Sequence, residues 1–380
     1  MEILSKEEFT AIAGYESATC VSIYVPAHRS GVEVNEMHDA LRLKTNLQQS
    51  ARVLVGNGLS QGAADQLLKE GFNLVDDREF WNTQLEGLCV FMSESFFKYY
   101  KLPFAVKEEA VISSSFYVTP LLPLMYNKHF NLLVLSRDDS TLYRGDKFGL
   151  KEIKINGLPE GLNVEPDEDG GRQNLQATKA GKQTYEEAKS AGESAGTAYL
   201  LQGLKEADQA LLKEEASAKE NAPLLLAGTD YLVENYKKIS QYGNIEREFL
   251  NGNFTREDKD SLYHQAKEKL SSYFKDDTSE ALKTFFDNSA NELTSSIPDD
   301  VIPASYYSKV SDLFVQKDEH IWGRFDEANS KLEIHDQPLN GDVCLINQAV
   351  IKTILNGGDV HLTEKEKMPS ESKIAAFMRY

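Results

Sequence analysis

The stretch NLLVLSRDDSTLYR, residues 131–144, decides the fold of the central part of the chain. Two short apolar runs flank the polar turn Arg137-Asp138-Asp139-Ser140, and this pattern predicts a β-hairpin. A third strand is predicted through Ile153 and Ile155, where apolar and charged residues alternate. This region is therefore predicted to begin with three consecutive strands.

A helix and a buried strand are predicted further along the chain. Apolar residues recur at helical spacing at Leu200, Leu204, Ala207 and Leu211. Pro223 then precedes the run LLLAG at residues 224–228, which is typical of a buried strand. A strand, a crossover helix and a second strand in this order predict a parallel pair, so the region is expected to be mixed α/β.

A long connection, residues 156–183, separates the third strand from helix-like sequence that begins near Thr184. Connections longer than about 12–15 residues are uncommon in compact domains and usually indicate function or disorder. Within this connection stands the tetrapeptide Gly170-Gly171-Arg172-Gln173. The glycines let the backbone approach a ligand closely, and the Gln173 amide can orient a water molecule or an ester oxygen. A flexible acidic loop without a partner is the alternative interpretation.

The whole chain is expected to form three mixed domains of the α/β fold class. The N-terminal, middle and C-terminal domains are predicted at residues 1–125, 126–275 and 276–380. Pro120-Leu121-Leu122-Pro123 and the polar connector Asp276-Asp277 mark the two boundaries. In the outer domains a strand is predicted at residues 116–119 and a helix at residues 342–355.

The charge balance excludes indiscriminate binding to nucleic acid. The chain carries 41 Lys and Arg against 60 Asp and Glu, a net charge of −19. Non-specific affinity for nucleic acid comes mainly from cations that displace counterions at phosphates. Any RNA contact therefore needs a local basic face, and residues 126–275, with 21 cationic against 25 anionic side chains, are the least unfavourable place.

Cysteine and histidine spacing predicts neither a metal site nor a cofactor. Cys20, Cys89 and Cys344 lie far apart, which argues against a disulfide framework and against a zinc knuckle. The seven histidines show none of the spacings typical of metal-binding helices. A reducing cytoplasm is the expected compartment. There is no apolar run of about 18 residues, so no transmembrane helix is expected.

The order of these segments resembles the superfamily of archaeal and eukaryotic class-1 peptide release factors and Pelota-type ribosome-rescue proteins. It is most similar to the bacterial branch of that superfamily. The segments that carry the resemblance are residues 21–26, 87–91, 120–122, 130–145, 223–228, 322–323, 357–360 and 375–380. The resemblance implies that the middle domain has a ribonuclease-H-like topology.

The resemblance also implies a role for the long loop. In the release factors, a Gly-Gly-Gln tripeptide at this position enters the peptidyl-transferase centre and promotes hydrolysis of the peptidyl-tRNA ester. Carried over, Gly170, Gly171 and Gln173 are the catalytic residues, and Arg172, Lys179 and Lys182 are the RNA-binding residues. Arg172 is an insertion relative to the family tripeptide. The chain has no Asn-Ile-Lys-Ser element, so codon-specific termination is not expected.

The sequence thus predicts a cytoplasmic, ribosome-associated, release-factor-like protein that acts in translational rescue, quality control or dormancy. The expected partners are the ribosome, tRNA or both, with a translational GTPase as a further candidate, and neither a membrane nor DNA. Two alternatives stay open: a small-substrate hydrolase or nuclease that uses middle-domain carboxylates, and a protein-interaction scaffold that has lost RNA binding. Catalysis by the loop, the ribosomal state recognised and the oligomeric state are not decided by the sequence.

Overall fold

The computed structural model describes residues 4–136, 140–156, 158, 200–214, 221–255, 258–274, 277–339 and 341–380. The chain divides into two compact units. The split unit combines Met1–Tyr126 with Asp276–Tyr380, and the middle unit is Asn127–Lys275. In the described residues, no helix combines the length and the apolar content needed to cross a membrane.

The first part of the split unit is an antiparallel sheet with helices packed on it. Its strands are β1 (Glu16–Pro26), β2 (Gly87–Ser93), β3 (Phe97–Leu102) and β4 (Glu109–Ser115). Its helices are α1 (Lys6–Ala13), α2 (Val32–Asn35), α3 (His38–Gly56), α4 (Gln61–Val75), α5 (Arg78–Trp81) and α6 (Leu122–Met125). The sheet order is β3-β2-β1-β4, so the longest strand lies in the interior of the sheet.

The middle unit contains one five-stranded sheet. Its strands are β5 (Phe130–Val134), β6 (Thr141–Asp146), β7 (Gly149–Ile153), β8 (Leu224–Gly228) and β9 (Ile245–Asn251). Its described helices are α7 (residues 200–214), α8 (Asp230–Ile239) and α9 (Lys259–Lys269).

The last part of the split unit holds two small sheets and three helices. The helices are α10 (Asp277–Asp287), α11 (Pro298–Tyr306) and α12 (Leu345–Leu355). The strands are β10 (Thr294–Ser295), β11 (Val310–Gln316), β12 (Trp322–Asp326), β13 (Lys331–His335), β14 (Val343–Cys344), β15 (Asp359–Thr363) and β16 (Ile374–Met378). They form the sheets β10-β16-β11-β15 and β13-β12-β14.

Strand β1 is buried on both faces of its sheet. Val21 and Ile23 belong to a core cluster with side chains of α3 and α4. Tyr24 points to the opposite face, where its hydroxyl donates to the Tyr117 carbonyl at 2.6 Å. Successive side chains of a strand alternate between faces, so a strand that is apolar at consecutive positions must be covered twice. Part of the second cover comes from Phe116 and Tyr117, whose rings pack against Phe91 and Tyr24.

The amide of Asn347 in α12 makes several of the hydrogen bonds between the two parts of the split unit. Its Oδ1 accepts from the backbone N–H groups of Val118 and Thr119 at 2.9 and 3.2 Å, and from the Thr119 hydroxyl at 3.0 Å. Its Nδ2 donates to the Phe116 carbonyl at 2.9 Å. These groups are buried, and buried polar groups are costly unless they are paired. The predicted strand at residues 116–119 is wrong for this reason, because that backbone bonds to a side chain and β4 ends at Ser115.

The sheet of the middle unit has the ribonuclease-H-like topology that the resemblance implies. Its order is β7-β6-β5-β8-β9. Strand β6 is antiparallel to both of its neighbours, whereas β5, β8 and β9 run parallel to one another. The predicted hairpin and the predicted parallel pair are therefore confirmed, with Asn131 opposite Leu224 in the parallel register.

Helices cover both faces of the middle sheet. On one face, β5, β6, β8 and the helices α7 and α8 form the α7 cluster, which contains Leu133, Leu135, Leu142, Leu200, Leu204, Ala207, Leu211, Leu224, Leu226, Leu232, Val233, Tyr236 and Tyr242. On the other face, Leu132 and Tyr143 pack with Leu262 of α9. The middle unit thus has a complete two-sided core of its own. The division of the rest of the chain into two domains stays a prediction, since the structure groups both parts into the split unit.

Replacement of Asn347 by Ala is expected to destabilise the split unit by roughly 2–4 kcal/mol, because it leaves two buried N–H groups and one carbonyl without partners. Both tryptophans, Trp81 and Trp322, lie in that unit. Urea unfolding followed by tryptophan fluorescence therefore measures this loss. Leu355→Ala, at an exposed position of the same helix, is the control and should cost less than about 1 kcal/mol. Equal losses for the two variants would contradict the assigned role of the amide.

Candidate functional site

The predicted site residues all fall in one segment of the middle unit. Gly170, Gly171, Arg172, Gln173, Lys179 and Lys182 lie between residues 159 and 199, outside the described residues. Their assignment therefore stays a prediction. We call the described residues on both sides of this segment its base. The base includes Leu158 on one side and α7 on the other.

Both ends of the segment pack into the same apolar cluster. Leu158, just before it, packs against the α7 cluster, as do Ile153 and Ile155 of the preceding chain. Leu200, the first described residue of α7, is a buried member of that cluster. Burying an aliphatic side chain of this size stabilises by about 1.5–3 kcal/mol. The segment is therefore fixed at both ends on one face of the middle sheet.

A buried carboxylate ties α7 to the end of α8. Asp208 accepts hydrogen bonds from the Tyr236 hydroxyl and from the backbone N–H of Gln241, both at 2.9 Å, and from the Ser240 hydroxyl. Burial, together with the charge of Asp208, raises the pKa of the Tyr236 hydroxyl well above its usual range. The tyrosine therefore stays protonated and donates to the carboxylate at any physiological pH. Three donors on one carboxylate fix the rotation of α7 relative to the sheet.

Two cationic side chains lie side by side on the face that carries α7. Arg144 of β6 is directly opposite Lys151 of β7. The next pair in the same register, Leu142 and Ile153, faces the α7 cluster. Residues two apart on a strand share a face, so Arg144 and Lys151 face the same side as that pair. Arg144 is partly buried and Lys151 is exposed. This pair lies on the same face of the sheet as Leu158 and Leu200.

The buried carboxylates described in the middle unit are engaged in structural hydrogen bonds. Asp146 accepts from the backbone N–H groups of Phe148 and Gly149 at 2.7 and 3.0 Å and from the Asn127 amide at 2.9 Å, which closes the turn between β6 and β7. Asp208 has the three donors given above. Among the residues that the structure describes, no group of three or more His, Cys, Asp or Glu side chains is placed to hold a metal ion.

Sequence reasoning missed the role of Asp208, although a signal for it exists. Asp208 is four residues after Leu204 and three before Leu211, so it lies on the apolar face of α7. A carboxylate on an apolar helix face must find donors when the helix packs, and this requirement predicts a buried partner. The identity of the donors could not be read from the sequence, because they come from the end of another helix.

One protein-family model matches the chain. Residues 129–309 match the family model described as "Bacterial archaeo-eukaryotic release factor family 3". The predicted resemblance to the bacterial branch of the release-factor superfamily is confirmed. The matched range includes all five strands of the middle sheet and the segment that holds the predicted loop.

Similar solved structures share little sequence with this chain. The crystal structure of an archaeal translation termination factor, aRF1, is 13% identical and the match covers 100% of each chain, with a TM-score of 0.26. A model of ribosome-bound archaeal Pelota and ABCE1 is 14% identical over 74% of this chain and 72% of that chain, with a TM-score of 0.36. Dom34 of S. cerevisiae, described as a translation termination-like factor interacting with Hbs1, is 12% identical over 66% and 63%, with a TM-score of 0.32. No curated protein matches the chain at a significant level.

Asp208→Ala is expected to loosen α7, because it removes an acceptor shared by three buried or partly buried donors. The free energy of local opening should fall by roughly 1.5–3 kcal/mol, so amides of residues 200–214 should exchange about 10- to 100-fold faster. Hydrogen exchange followed by mass spectrometry measures this change. Glu206→Ala, at an exposed position of the same helix, should leave exchange nearly unchanged. Similar protection of α7 in both variants would show that Asp208 does not anchor it.

Proposed function

We propose that this protein is a ribosome-associated translation factor of the release-factor type that acts in translational rescue, quality control or dormancy. The observation that carries the proposal is the family match over residues 129–309. That range contains the ribonuclease-H-like sheet and the segment with Gly170, Gly171 and Gln173. The partners in this proposal are the ribosome and tRNA, in the cytoplasm, with a translational GTPase as a further candidate.

The base of the segment supports this function. Leu158 and Leu200 pack in one apolar cluster, and the hydrogen bonds of Asp208 fix α7 relative to α8. A segment with both ends fixed at one place can present its middle to a partner without disturbing the sheet. The entropic cost of closing such a loop grows only slowly with its length, so a long connection is tolerated at this position.

The chemistry proposed for the segment is hydrolysis of the peptidyl-tRNA ester. Gly170 and Gly171 would let the backbone approach the ester, and the Gln173 amide would orient a water molecule. The water oxygen attacks the ester carbonyl carbon, and the bond from that carbon to the ribose oxygen breaks. The ribose oxygen leaves with a proton, and the peptide leaves as a free acid. In this proposal, the protein contributes by positioning the water molecule.

The proposed RNA contacts are few and local. Arg172, Lys179 and Lys182 would meet phosphates, and the pair Arg144 and Lys151 adds positive charge on the face from which the segment leaves the sheet. The net charge of −19 opposes any broad coating of RNA. Binding is therefore expected to depend on a small number of phosphate contacts and to weaken with salt.

The nuclease alternative has less support than the translation-factor proposal. Metal-dependent cleavage of a phosphodiester needs several carboxylates around the ions. In the described part of the middle unit, Asp146 and Asp208 are both engaged as acceptors for structural donors.

The scaffold alternative predicts no salt-sensitive association with ribosomes, so sedimentation separates it from the proposal.

Wild-type protein is expected to sediment with ribosomal particles through a sucrose gradient, during growth or during starvation. A variant with Arg172, Lys179 and Lys182 all changed to Ala should bind more weakly and with less dependence on salt, because three phosphate contacts are lost. Between about 50 and 200 mM salt, the wild type should lose roughly 20- to 40-fold more affinity than the variant.

The control for that experiment removes the same charge elsewhere. Lys44, Lys69 and Lys365 are exposed lysines of the split unit. Their triple Ala variant should sediment like the wild type. Failure of the wild type to travel with ribosomes under both conditions would refute ribosome association, and equal loss in the two triple variants would assign binding to net charge alone.

Gln173→Ala tests the chemistry separately from binding. If the amide positions the water, hydrolysis of peptidyl-tRNA on ribosomes should fall by about 100-fold or more, while sedimentation stays unchanged. Gln176→Ala, which changes a second glutamine three residues away, is the matched control and should keep full activity. Release of labelled peptide in a single-turnover assay gives the rate. Equal rates for the wild type and Gln173→Ala would reject the catalytic assignment and leave the binding proposal standing.

A further inference from the structure

A histidine, a cysteine and a glutamate form a connected cluster in the split unit. The Nδ1 of His320 lies 3.4 Å from the Sγ of Cys344, and its Nε2 lies 2.6 Å from an Oε1 of Glu109. Glu109 begins β4, and Cys344 immediately precedes α12. The His320 and Glu109 side chains are only 13% and 18% exposed. The three groups therefore interact away from bulk water, where electrostatic effects are strong.

Aromatic rings hold the imidazole in this orientation. The ring of Trp322 stacks on that of His320, with a centroid distance of 4.9 Å and an interplanar angle of 16°. The ring of Tyr117 lies on another side at 5.2 Å. A side chain held in this way keeps one ring nitrogen toward the sulfur and the other toward the carboxylate. The same division of the two nitrogens orients an imidazole in many catalytic and metal sites.

The charges around the ring favour an imidazolium. Burial opposes a charged ring, but the contacts with Cys344 and Glu109 outweigh it and raise the pKa of His320 to about 9. Burial also raises the pKa of Tyr117 well above its usual range, so that hydroxyl stays neutral. Lys373 donates to the backbone carbonyl of His320 at 3.2 Å and pairs with the carboxylate of Glu319. At neutral pH, the positive charge next to the sulfur is therefore the imidazolium itself.

The other two cysteines have no comparable surroundings. Cys20 and Cys89 are fully buried in β1 and β2. The Cys20 thiol donates to the Ser114 carbonyl at 3.6 Å, and burial raises its pKa to about 11. Burial also raises the pKa of Cys89, whose thiol lies beside the hydroxyl of Tyr24. A thiol in such a place stays protonated, and the protonated thiol is a poor nucleophile.

We propose that Cys344 is an oxidisable, nucleophilic thiol that His320 activates and Glu109 orients, and that its reactant is a small uncharged peroxide. Cys344 precedes an 11-residue helix, whose N-terminal dipole adds to the attraction for a negative sulfur. Only 4% of the residue is exposed, so a reactant the size of hydrogen peroxide is favoured over bulky disulfides. This inference is independent of the ribosomal function proposed above.

The reaction transfers one oxygen atom to sulfur. The thiolate attacks one peroxide oxygen, a sulfur–oxygen bond forms and the oxygen–oxygen bond breaks. The second oxygen leaves as hydroxide and takes the imidazolium proton to become water. Sulfur loses two electrons, and the peroxide gains them, which yields a sulfenic acid. The oxidised residue, Cys344, lies three residues before Asn347 and immediately before α12.

Site-resolved oxidation of the intact wild-type chain tests the proposal. Protein at about pH 7 is treated with hydrogen peroxide, quenched with catalase and unfolded in dimedone, and sulfenic acid is quantified on each cysteine peptide by mass spectrometry. Cys344 should react at least about tenfold faster than Cys20 and Cys89. His320→Gln should slow Cys344 by about tenfold or more, because the imidazolium that attracts the negative sulfur is lost.

A second histidine supplies the matched control. His361 is also paired with a carboxylate, Asp312, at 3.0 Å, and it is stacked on Phe314 at 5.0 Å in the same unit. His361→Gln should leave the rate of Cys344 unchanged. Equal oxidation of all three cysteines in the wild type would overturn the proposal without any variant. A faster rate in both histidine variants would also overturn it, because general opening of the unit would then set the reactivity.

Discussion

The four hydrogen bonds of the Asn347 amide are the constraint on which the split unit depends. They bind the backbone that leaves β4 to a helix 229 residues further along the chain. Because the bonded groups are buried, the N-terminal sheet and the C-terminal helix can only form their final interface together. The middle unit stands outside this dependence, since its sheet is covered on both faces by its own helices.

The two units rely on different kinds of interaction. The split unit concentrates long-range polar contacts, of which Asn347 and the cluster of Glu109, His320 and Cys344 are the two clearest. The middle unit instead fixes a long segment at both ends through aliphatic packing and one buried carboxylate. Apolar packing tolerates variation in the connected sequence, whereas a saturated carboxylate specifies one rotation of α7. Binding loops commonly connect elements of a rigid scaffold in this way.

Features with local causes could be predicted, and features with distant causes could not. The hairpin at residues 131–144 and the strand after Pro223 follow from apolar runs and turn residues, and both are present in the structure. The helix predicted from residue 342 begins at Leu345, because Val343 and Cys344 pair with β12 instead. The strand predicted at residues 116–119 fails because a distant side chain takes its backbone groups. In the candidate site, loop length and glycine content pointed to the segment, while the donors to Asp208 lie on another helix and leave no local signal.

The proposed role on RNA requires an acidic chain to separate affinity from recognition. Arg172, Lys179 and Lys182 share their segment with Glu165, Asp167, Glu168 and Asp169, so the local charge is mixed. At physiological salt, charges interact over only about 8 Å, and cations next to a phosphate therefore count for more than the net charge of −19. In the proposed role, such a segment would have low affinity for RNA that does not fit it. Its carboxylates would repel any phosphate that the cations do not reach. Discrimination is a difference between affinities, and weak attraction to the wrong RNA enlarges it as effectively as strong attraction to the right one.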